Sequence, residues 1–360
     1  MQTKKLLIIS ILDILRKYTD ENHRLSQREI VDILQKEYAV TADRKSIRRN
    51  IIGLMEYGYE IEYKEVLRMI PVKNSETGKT EIDPDTGKPR LAESYVWSDF
   101  YLVRDFTNSE LRLLIDSLLF SKHIPYSQCK ELIKKLEGLS NQYFSSHTKH
   151  IRTMPENLPQ NRQLLFTVEI LDEAISLSQQ VSFTYNEYGT DKKLHPRLNH
   201  DGKPRNYVVN PYQMATANGR YYLIGNLDKY DDLINFRLDR ITNIRPLDTP
   251  CKPIQKVKGL KNGFNLSKHM AEHIYMFSGE SVPVSFRMKK YLVTEVIDWF
   301  GKDVVFIDET DDEVTARVTV NLQAMRKWAM QYVLHIKILS PKSFAEDIKN
   351  DLCAAMKNYE

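Results

Sequence analysis

The chain has 360 residues, with 52 Lys and Arg against 48 Asp and Glu, a formal net charge of +4, and 42% hydrophobic residues. Because domains of about 100 to 200 residues are usual, this length predicts two or three domains, and the small net charge means that any polyanion site must come from local clustering. The three widely spaced cysteines, with no C-x-x-C pair, and the absence of an apolar window near the ~18 residues of a membrane span lead us to expect a cytoplasmic protein that binds no membrane.

Three short helices are predicted at the N-terminus. Apolar residues at helical spacing predict the first over residues 4–18. Ser26 and Glu29 have the spacing of a capping box that opens the second helix. Asp43 can cap a third helix, which Gly58 ends.

The third helix, Asp43 to Tyr57, begins with a group of cations, which oppose the helix dipole and so favour an anionic partner from outside the chain. The strand-like runs EIEYKEVL and YVWSDFYLV follow it, so residues 1–105 are predicted to form a winged helix-turn-helix DNA-binding domain. The alternative is a solvated basic face on a three-helix bundle. The predicted contacts with double-stranded DNA are Arg44, Lys45, Ser46, Arg48 and Arg49. The predicted wing tip adds Lys73, Lys79, Lys88 and Arg90.

Helical and then strand-like patterns follow. Thr107 and Glu110 form another possible capping box, and residues 106–161 are predicted to be a helical connector. A helix at 162–178 then leads to five short strands separated by turn signals, which predict a compact barrel within a domain at 162–250. The predicted strands are 181–186, 192–198, 205–210, 220–226 and 233–239.

After a linker at 251–281, the order of patterns from residue 282 is β-α-β-β-α-β plus a helix. This order is typical of the ferredoxin-like split motif, which we predict for residues 282–360. The expected fold class is therefore α+β and multidomain: a winged helix-turn-helix, a small β-barrel and a ferredoxin-like C-terminal domain.

Basic and aromatic residues recur on the strands of the predicted barrel. Guanidinium groups pair bidentately with phosphate oxygens, and aromatic rings stack on bases, so these residues could form a platform for a nucleotide or a single strand. In the alternative interpretation an arginine of this set pairs with Asp239 and Tyr222 only packs. The predicted ligand-binding residues are Tyr185, His195, Arg197, Arg220, Tyr222, Arg237 and Arg240.

The chain resembles the WYL-domain transcriptional regulators of bacteria over essentially its whole length. The family's Trp-Tyr-Leu run is here Tyr221-Tyr222-Leu223 inside NPYQMATANGRYYLIGN, and its most distinctive phrase is FRLDRI, from Phe236 to Ile241. Tyr221 stands where the family has Trp, which keeps an aromatic ring and loses the indole donor.

The resemblance implies a DNA-binding homodimer whose Sm-like WYL barrel senses a ligand, for some members a nucleotide or a single-stranded nucleic acid. The matching ligand positions are Tyr222, Arg237, Asp239 and Arg240. It also implies that the C-terminal domain contacts the barrel of the second subunit, where Arg287, Arg317 or Lys289 would complete the site.

Some sequence motifs imitate catalytic ones. Residues 269–273 spell H-x-x-E-H, the inverted zinc-protease signature, but no third ligand follows, and we expect a connector helix with surface histidines. Gly78-Lys79-Thr80 lacks the first glycine of a phosphate-binding loop, and Asp83 with Asp85 lacks the terminal Glu of a calcium loop.

We therefore predict no catalytic residue, no metal site and no cofactor. Two rival classes stay open: an enzyme that acts on nucleic acid or as a zinc hydrolase, and a regulator whose barrel binds another protein.

Overall fold

The computed structural model describes residues 6–73, 77–84, 86–121, 124–144 and 161–360. The chain divides into two compact units, Met1–Phe120 with Ser127–Met154 and Ser121–Tyr126 with Pro155–Glu360. Residues 145–160 of the predicted connector, and Asp85, lie outside the described residues. The sequence predicts five segments, whereas the structure divides into two units. The boundaries of the five segments therefore stay predictions.

The first unit opens with three helices that share one apolar core. They are α1 (Leu7–Tyr18), α2 (Gln27–Tyr38) and α3 (Arg44–Tyr57). The Ser26–Glu29 capping box is formed in both directions, and Gly58 ends α3 with a φ of 115°, a left-handed conformation that glycine adopts most easily. Ile30 and Ile51 are fully buried in this core, and burying each such side chain stabilises the fold by roughly 1.5 to 3 kcal/mol.

A long antiparallel hairpin follows the three helices. Its strands are β1 (Ile61–Pro71) and β2 (Leu91–Leu102), each longer than the run predicted from the sequence. The Val72 N–H donates to the Arg90 carbonyl, which carries the pairing one residue further into the turn-rich segment. At the base of the hairpin, the ring of Trp97 stacks on Tyr63 at 3.9 Å.

Two further helices are described in the predicted connector, α4 (Asn108–Phe120) and α5 (Tyr126–Glu137). The Thr107–Glu110 capping box is present, since the Glu110 N–H donates to the Thr107 hydroxyl and the Thr107 N–H donates to the Glu110 carboxylate. Leu111, Ile115 and Phe144 form a small core of their own.

The second unit begins with α6 (Leu164–Ser176) and a six-stranded sheet. Val181 and Phe183 on this sheet pack with Leu171 of α6, which covers one side of it. The strands are β3 (Gln179–Tyr188), β4 (Leu194–Pro196), β5 (Asn206–Ala217), β6 (Arg220–Asn226), β7 (Leu233–Arg237) and β8 (Ile241–Pro250).

The pairing of these strands departs from the sequence prediction. The sheet runs β4-β3-β5-β6-β7, and β8, a strand that the prediction lacks, pairs with β3. Within the described residues no pairing joins β7 to β8, so the sheet is not closed into the predicted barrel. The turn between these two strands occupies only residues 238–240, and it redirects the chain across the sheet to β3.

The rest of the second unit is an α+β assembly in the predicted order of elements. After α7 (Leu266–Glu272) its four strands pair in the order β10-β11-β9-β12, and buried Phe286 and Trp328 lie in the core between sheet and helices. The elements are β9 (Ser281–Lys289), α8 (Val293–Phe300), β10 (Val305–Ile307), β11 (Glu313–Asn321), α9 (Leu322–Gln331), β12 (Ile336–Ser340) and α10 (Lys342–Met356). None of the helices in the described ranges has the length and apolar content that a membrane crossing demands.

Candidate functional site

The candidate ligand site lies where β6 and β7 pair and β7 ends. Tyr222 and Arg237 are direct partners across the two strands, and Arg220 shares their face because it stands two residues before Tyr222. The sequence predicted a strand through residue 239, but β7 ends at Arg237 and Leu238–Arg240 form a 3-10 turn. The turn carries Asp239 to the position opposite Arg220.

Asp239 is a buried acid that holds two guanidinium groups in place. Nε and Nη2 of Arg237 donate to its two carboxylate oxygens at 3.0 and 2.6 Å, and Nη1 of Arg220 donates at 3.3 Å. The Asp239 side chain is 6% exposed, against 19% for Arg237 and 30% for Arg220. One carboxylate neutralises the charge of only one guanidinium group. Asp239 and the two arginines together therefore carry a net positive charge that faces solvent.

Arg240 brings a third guanidinium to the same place. Its carbonyl accepts a hydrogen bond from Asn186 Nδ2 at 2.8 Å, and its Cζ lies 5.9 Å from the ring centre of Tyr188. Its Nε is buried and has no hydrogen-bond partner among the described residues. Leaving a buried N–H unpaired costs about 1 to 3 kcal/mol, so an acceptor brought by a ligand would remove that cost. We call Arg220, Arg237, Asp239 and Arg240 the arginine cluster.

Tyrosine rings line the arginine cluster, and burial raises the pKa of Tyr185, Tyr188 and Tyr222, which keeps each phenol neutral. The Tyr185 hydroxyl accepts the Arg237 backbone N–H at 3.1 Å. Tyr222 is only 8% exposed and packs with Met276, so its ring is not an open stacking surface. Tyr188 was missed from the sequence, because strand alternation places it on the other face of β3 from Tyr185.

Two residues predicted for the ligand site have partners of their own. The His195 ring lies 2.9 Å from Asp191 in the turn before β4, and no described contact joins it to the arginine cluster. Arg197 pairs with Glu187 at 2.5 Å, and its guanidinium lies 5.3 Å from the ring centre of Tyr185. Arg197 therefore reaches the edge of the site through Tyr185, whereas His195 stabilises its own turn.

The predicted DNA contacts lie at the start of α3. The Asp43 carboxylate accepts the Ser46 N–H at 2.7 Å, and this hydrogen bond holds the pKa of Asp43 below its ordinary value. Arg44, Lys45 and Arg49 are exposed, and within the described residues no acid lies at ion-pairing distance from them. Three exposed cations near the start of a helix, none of them in an ion pair within the described residues, form a surface suited to phosphate.

Arg48 is held differently from the other cations of α3. Its Cζ lies 4.5 Å from the ring centre of Trp97 on β2, and Trp97 Nε1 donates to Glu65 at 3.1 Å. This cation–π contact ties α3 to the hairpin. Arg48 as a whole is nonetheless exposed.

The chain matches the family model of the WYL domain over residues 167–246. This range begins in α6, ends in β8 and contains the whole arginine cluster. The chain carries a WYL domain.

Among solved structures, the chain has only distant similarity to the two described below. Among curated proteins no sequence matches the chain. It is similar to proteasome accessory factor B/C of Arthrobacter aurescens at 14% identity and a TM-score of 0.27, over 100% of this chain and 49% of that one. The chain thus spans about half the length of that protein. It is also similar to a CRISPR Cas-related protein at 12% identity and a TM-score of 0.37, over 100% of this chain and 87% of that one.

Asn210 and Tyr212, both inside the matched range, have structural roles. Asn210 is fully buried, donates from Nδ2 to Asp228 at 2.6 Å, and accepts from Gln180 Nε2 and the Lys252 N–H, both at 2.9 Å. Tyr212 donates from its hydroxyl to the Lys252 carbonyl at 2.8 Å. These bonds tie β3 and β5 to the segment that leaves the domain, on residues outside the arginine cluster.

The H-x-x-E-H motif is also buried, which corrects the prediction of surface histidines. His269 and His273 are each 7% exposed, and their rings stack at 4.0 Å. The two ring nitrogens of His273 lie 2.9 Å from the His269 carbonyl and 3.2 Å from the Gly279 carbonyl. Both nitrogens are thus occupied by the backbone. The histidines are buried because α7 packs its inward side against the strands of the second unit.

Proposed function

We propose that this protein is a DNA-binding transcriptional regulator, without enzymatic activity, whose WYL domain senses a nucleotide or a single-stranded nucleic acid. The observation that carries the proposal is the arginine cluster, where the guanidinium groups of Arg237 and Arg220 share one buried carboxylate and that of Arg240 lies against Tyr188. Such groups recognise phosphate oxygens bidentately, and the unpaired Nε of Arg240 offers a further donor. A phosphate-bearing ligand fits this charge and donor arrangement better than a neutral ligand does.

In this proposal α1 to α3 and the β1–β2 hairpin act as a winged helix-turn-helix. The helix α3 enters the major groove of duplex DNA, and Arg44, Lys45, Ser46 and Arg49 contact phosphates or base edges. Arg48 contributes through its contact with Trp97, which sets the wing beside the groove. Lys73, Lys79, Lys88 and Arg90 at the hairpin tip add contacts with the DNA backbone.

The proposed regulator is a cytoplasmic homodimer that places two α3 helices in successive major grooves. A ligand at the arginine cluster changes the relative placement of these helices. Couplings between sites are typically ~1 to 3 kcal/mol, so ligand binding would change DNA affinity by ~5- to 150-fold.

The direct test measures binding of the full-length chain to a short fluorescent oligothymidylate by fluorescence anisotropy. Arg240→Ala is the most informative variant, because Arg240 forms no ion pair within the described residues and its removal leaves no acid unpaired. We expect roughly tenfold weaker binding, since a hydrogen bond to a charged group contributes ~1.5 to 3 kcal/mol.

The matched control is Lys203→Ala, which removes one exposed cation from the same domain. It should bind as the wild type does. Equal affinity of the wild type and Arg240→Ala would remove the arginine cluster from the ligand site.

A further inference from the structure

A crevice runs beside the last helix of the C-terminal α+β assembly. The helix α10 packs on β12, which lies at one end of the four-stranded sheet. Phe344 and Ile348 are the side chains of α10 that are buried in the core. A crevice of about 340 Å³ lies between α10, β12 and the end of α9. We call it the α10 crevice.

The walls of the α10 crevice are apolar. Ala345, Ile348 and Leu352 recur at the spacing of one helix face, so α10 presents a hydrocarbon stripe to the crevice. Hydrocarbon side chains offer water no hydrogen bond, and apolar cavities of this kind therefore favour apolar ligands. The other apolar residues of the walls come from α9, the turn after it and β12, and they are Ala329, Val333, Ile336 and Ile338.

Charged side chains line the crevice as well, and all of them are exposed. Lys349 Nζ donates to the Glu346 carboxylate at 3.0 Å, whereas Lys337 forms no ion pair within the described residues. Two lysines therefore stand against one acid. The solvent-facing border of the crevice carries a net positive charge, while its walls carry none.

The size of the α10 crevice limits what it can hold. Small-molecule sites usually measure about 300 to 1,000 Å³ and combine apolar walls with a few polar groups, so this crevice is at the small end of the range. A cavity of about 150 Å³ holds benzene, so by proportion 340 Å³ holds roughly 10 to 12 carbon atoms. One unbranched chain of that length fits, and the paired longer chains of a membrane lipid do not.

We propose that the α10 crevice binds a medium-chain fatty acid. The alkyl chain lies between the apolar side of α10 and β12, and the carboxylate stays in water at the border, near Lys337 and Lys349. Burial of the chain provides the affinity, because each methylene removed from water contributes favourably. The net positive border favours an anionic head group over a cationic one on the same chain.

This site does not depend on the proposed function. The arginine cluster belongs to β6, β7 and the turn after β7, whereas the α10 crevice is lined by α9, β12, α10 and the turn after α9. Arg240→Ala should therefore bind decanoate as the wild type does.

The test is isothermal titration calorimetry of the full-length chain with hexanoate, octanoate and decanoate. Affinity should rise roughly fourfold for each added methylene, since each one buries further apolar surface in the crevice. Decyltrimethylammonium, which carries a cation on a chain of the same length as decanoate, should bind more weakly than decanoate.

Ala345→Leu fills part of the crevice from α10 and should weaken decanoate binding by roughly tenfold or more, because the added carbons occupy the space of several ligand methylenes. Ala354→Leu makes the same change at an exposed position of α10 and should keep the affinity. Val333→Leu narrows the crevice from another wall by one methylene and should weaken binding roughly fourfold. Urea unfolding checks the fold of each variant.

Three results would overturn the proposal. The first is an affinity that does not increase from hexanoate to decanoate, because binding would then depend on the carboxylate alone. The second is wild-type affinity for decanoate in folded Ala345→Leu and Val333→Leu, which would place the chain outside the crevice. The third is decyltrimethylammonium binding as tightly as decanoate, which would exclude a fatty acid as the preferred ligand.

Discussion

Asp239→Asn tests the organisation of the arginine cluster most sharply. The substitution keeps the shape of the side chain and removes the only carboxylate that Arg237 and Arg220 share within the described residues. Removing one partner of a buried ion pair typically costs 3 to 5 kcal/mol. Because the two arginines are partly exposed, water recovers some of this cost, and we expect the free energy of unfolding to fall by about 2 to 3 kcal/mol.

The measurement is urea unfolding of the full-length chain, followed by circular dichroism. Asp248→Asn, which replaces an exposed carboxylate on β8, is the matched control and should unfold as the wild type does. Added pyrophosphate should restore part of the stability of Asp239→Asn, since an anion that binds only the folded state stabilises it. If Asp239→Asn unfolds at the same urea concentration as the wild type, Asp239 does not hold the guanidinium groups.

Further predictions address a buried histidine, the DNA-binding helix and a crowded glycine. Burial, and then the charge of His273, lower the pKa of His269 from 6.5 to about 4, so the folded state favours its neutral form. Below pH 6.5 the unfolded chain takes up a proton on His269 more readily than the folded protein does. The free energy of unfolding is therefore highest above pH 6.5 and falls by up to about 3 kcal/mol as the pH drops towards 4. His269→Gln should flatten this part of the stability curve measured by urea unfolding, and the exposed His195→Gln should not. Arg44→Ala with Arg49→Ala should reduce the slope of log affinity for duplex DNA against log salt by roughly two, while Lys134→Ala with Lys135→Ala on α5 leaves it unchanged; equal slopes would exclude α3 from the interface. In Gly225→Ala the new Cβ would lie 2.7 Å from the Asn210 carbonyl oxygen, so we expect the free energy of unfolding to fall by ~1 to 3 kcal/mol. In Gly53→Ala the nearest atom lies 3.7 Å from the new Cβ, and the higher helix propensity of Ala should raise the free energy of unfolding by about 1 kcal/mol. Thermal unfolding of both variants measures this opposite effect on stability.

Local signals predicted the helices of the first unit well. The Ser26–Glu29 and Thr107–Glu110 boxes depend on residues three apart in sequence, and both form as predicted. Gly58 ends α3 for an equally local reason, its left-handed backbone. Such features need no long-range contact, so the sequence is enough to predict them.

The geometry of the candidate site could not be predicted from the sequence. Alternation along the strand predicted over residues 233–239 could not reveal that the strand ends at Arg237 and that Asp239 turns back to bind two guanidinium groups. The contact between Arg240 and Tyr188 likewise joins residues 52 positions apart. Periodicity within one strand carries no information on such contacts.

Burial by distant elements explains the other departures. The predicted surface histidines are buried, because α7 packs on strands that follow it in the chain. The missed strand β8 lacks strict alternation, and its pairing with β3 joins residues about 60 positions apart. Only the assembled sheet shows where β8 lies.

We propose above that a ligand at the arginine cluster controls duplex DNA binding by α3. The decisive measurement is the affinity of the full-length chain for a duplex that it selects from a random pool, with and without oligothymidylate, in the wild type and in Arg240→Ala. We expect oligothymidylate to change duplex affinity by ~5- to 150-fold in the wild type and to leave it unchanged in Arg240→Ala, although that variant binds the duplex normally. A duplex affinity that oligothymidylate changes equally in both proteins, or in neither, would show that the arginine cluster does not control DNA binding.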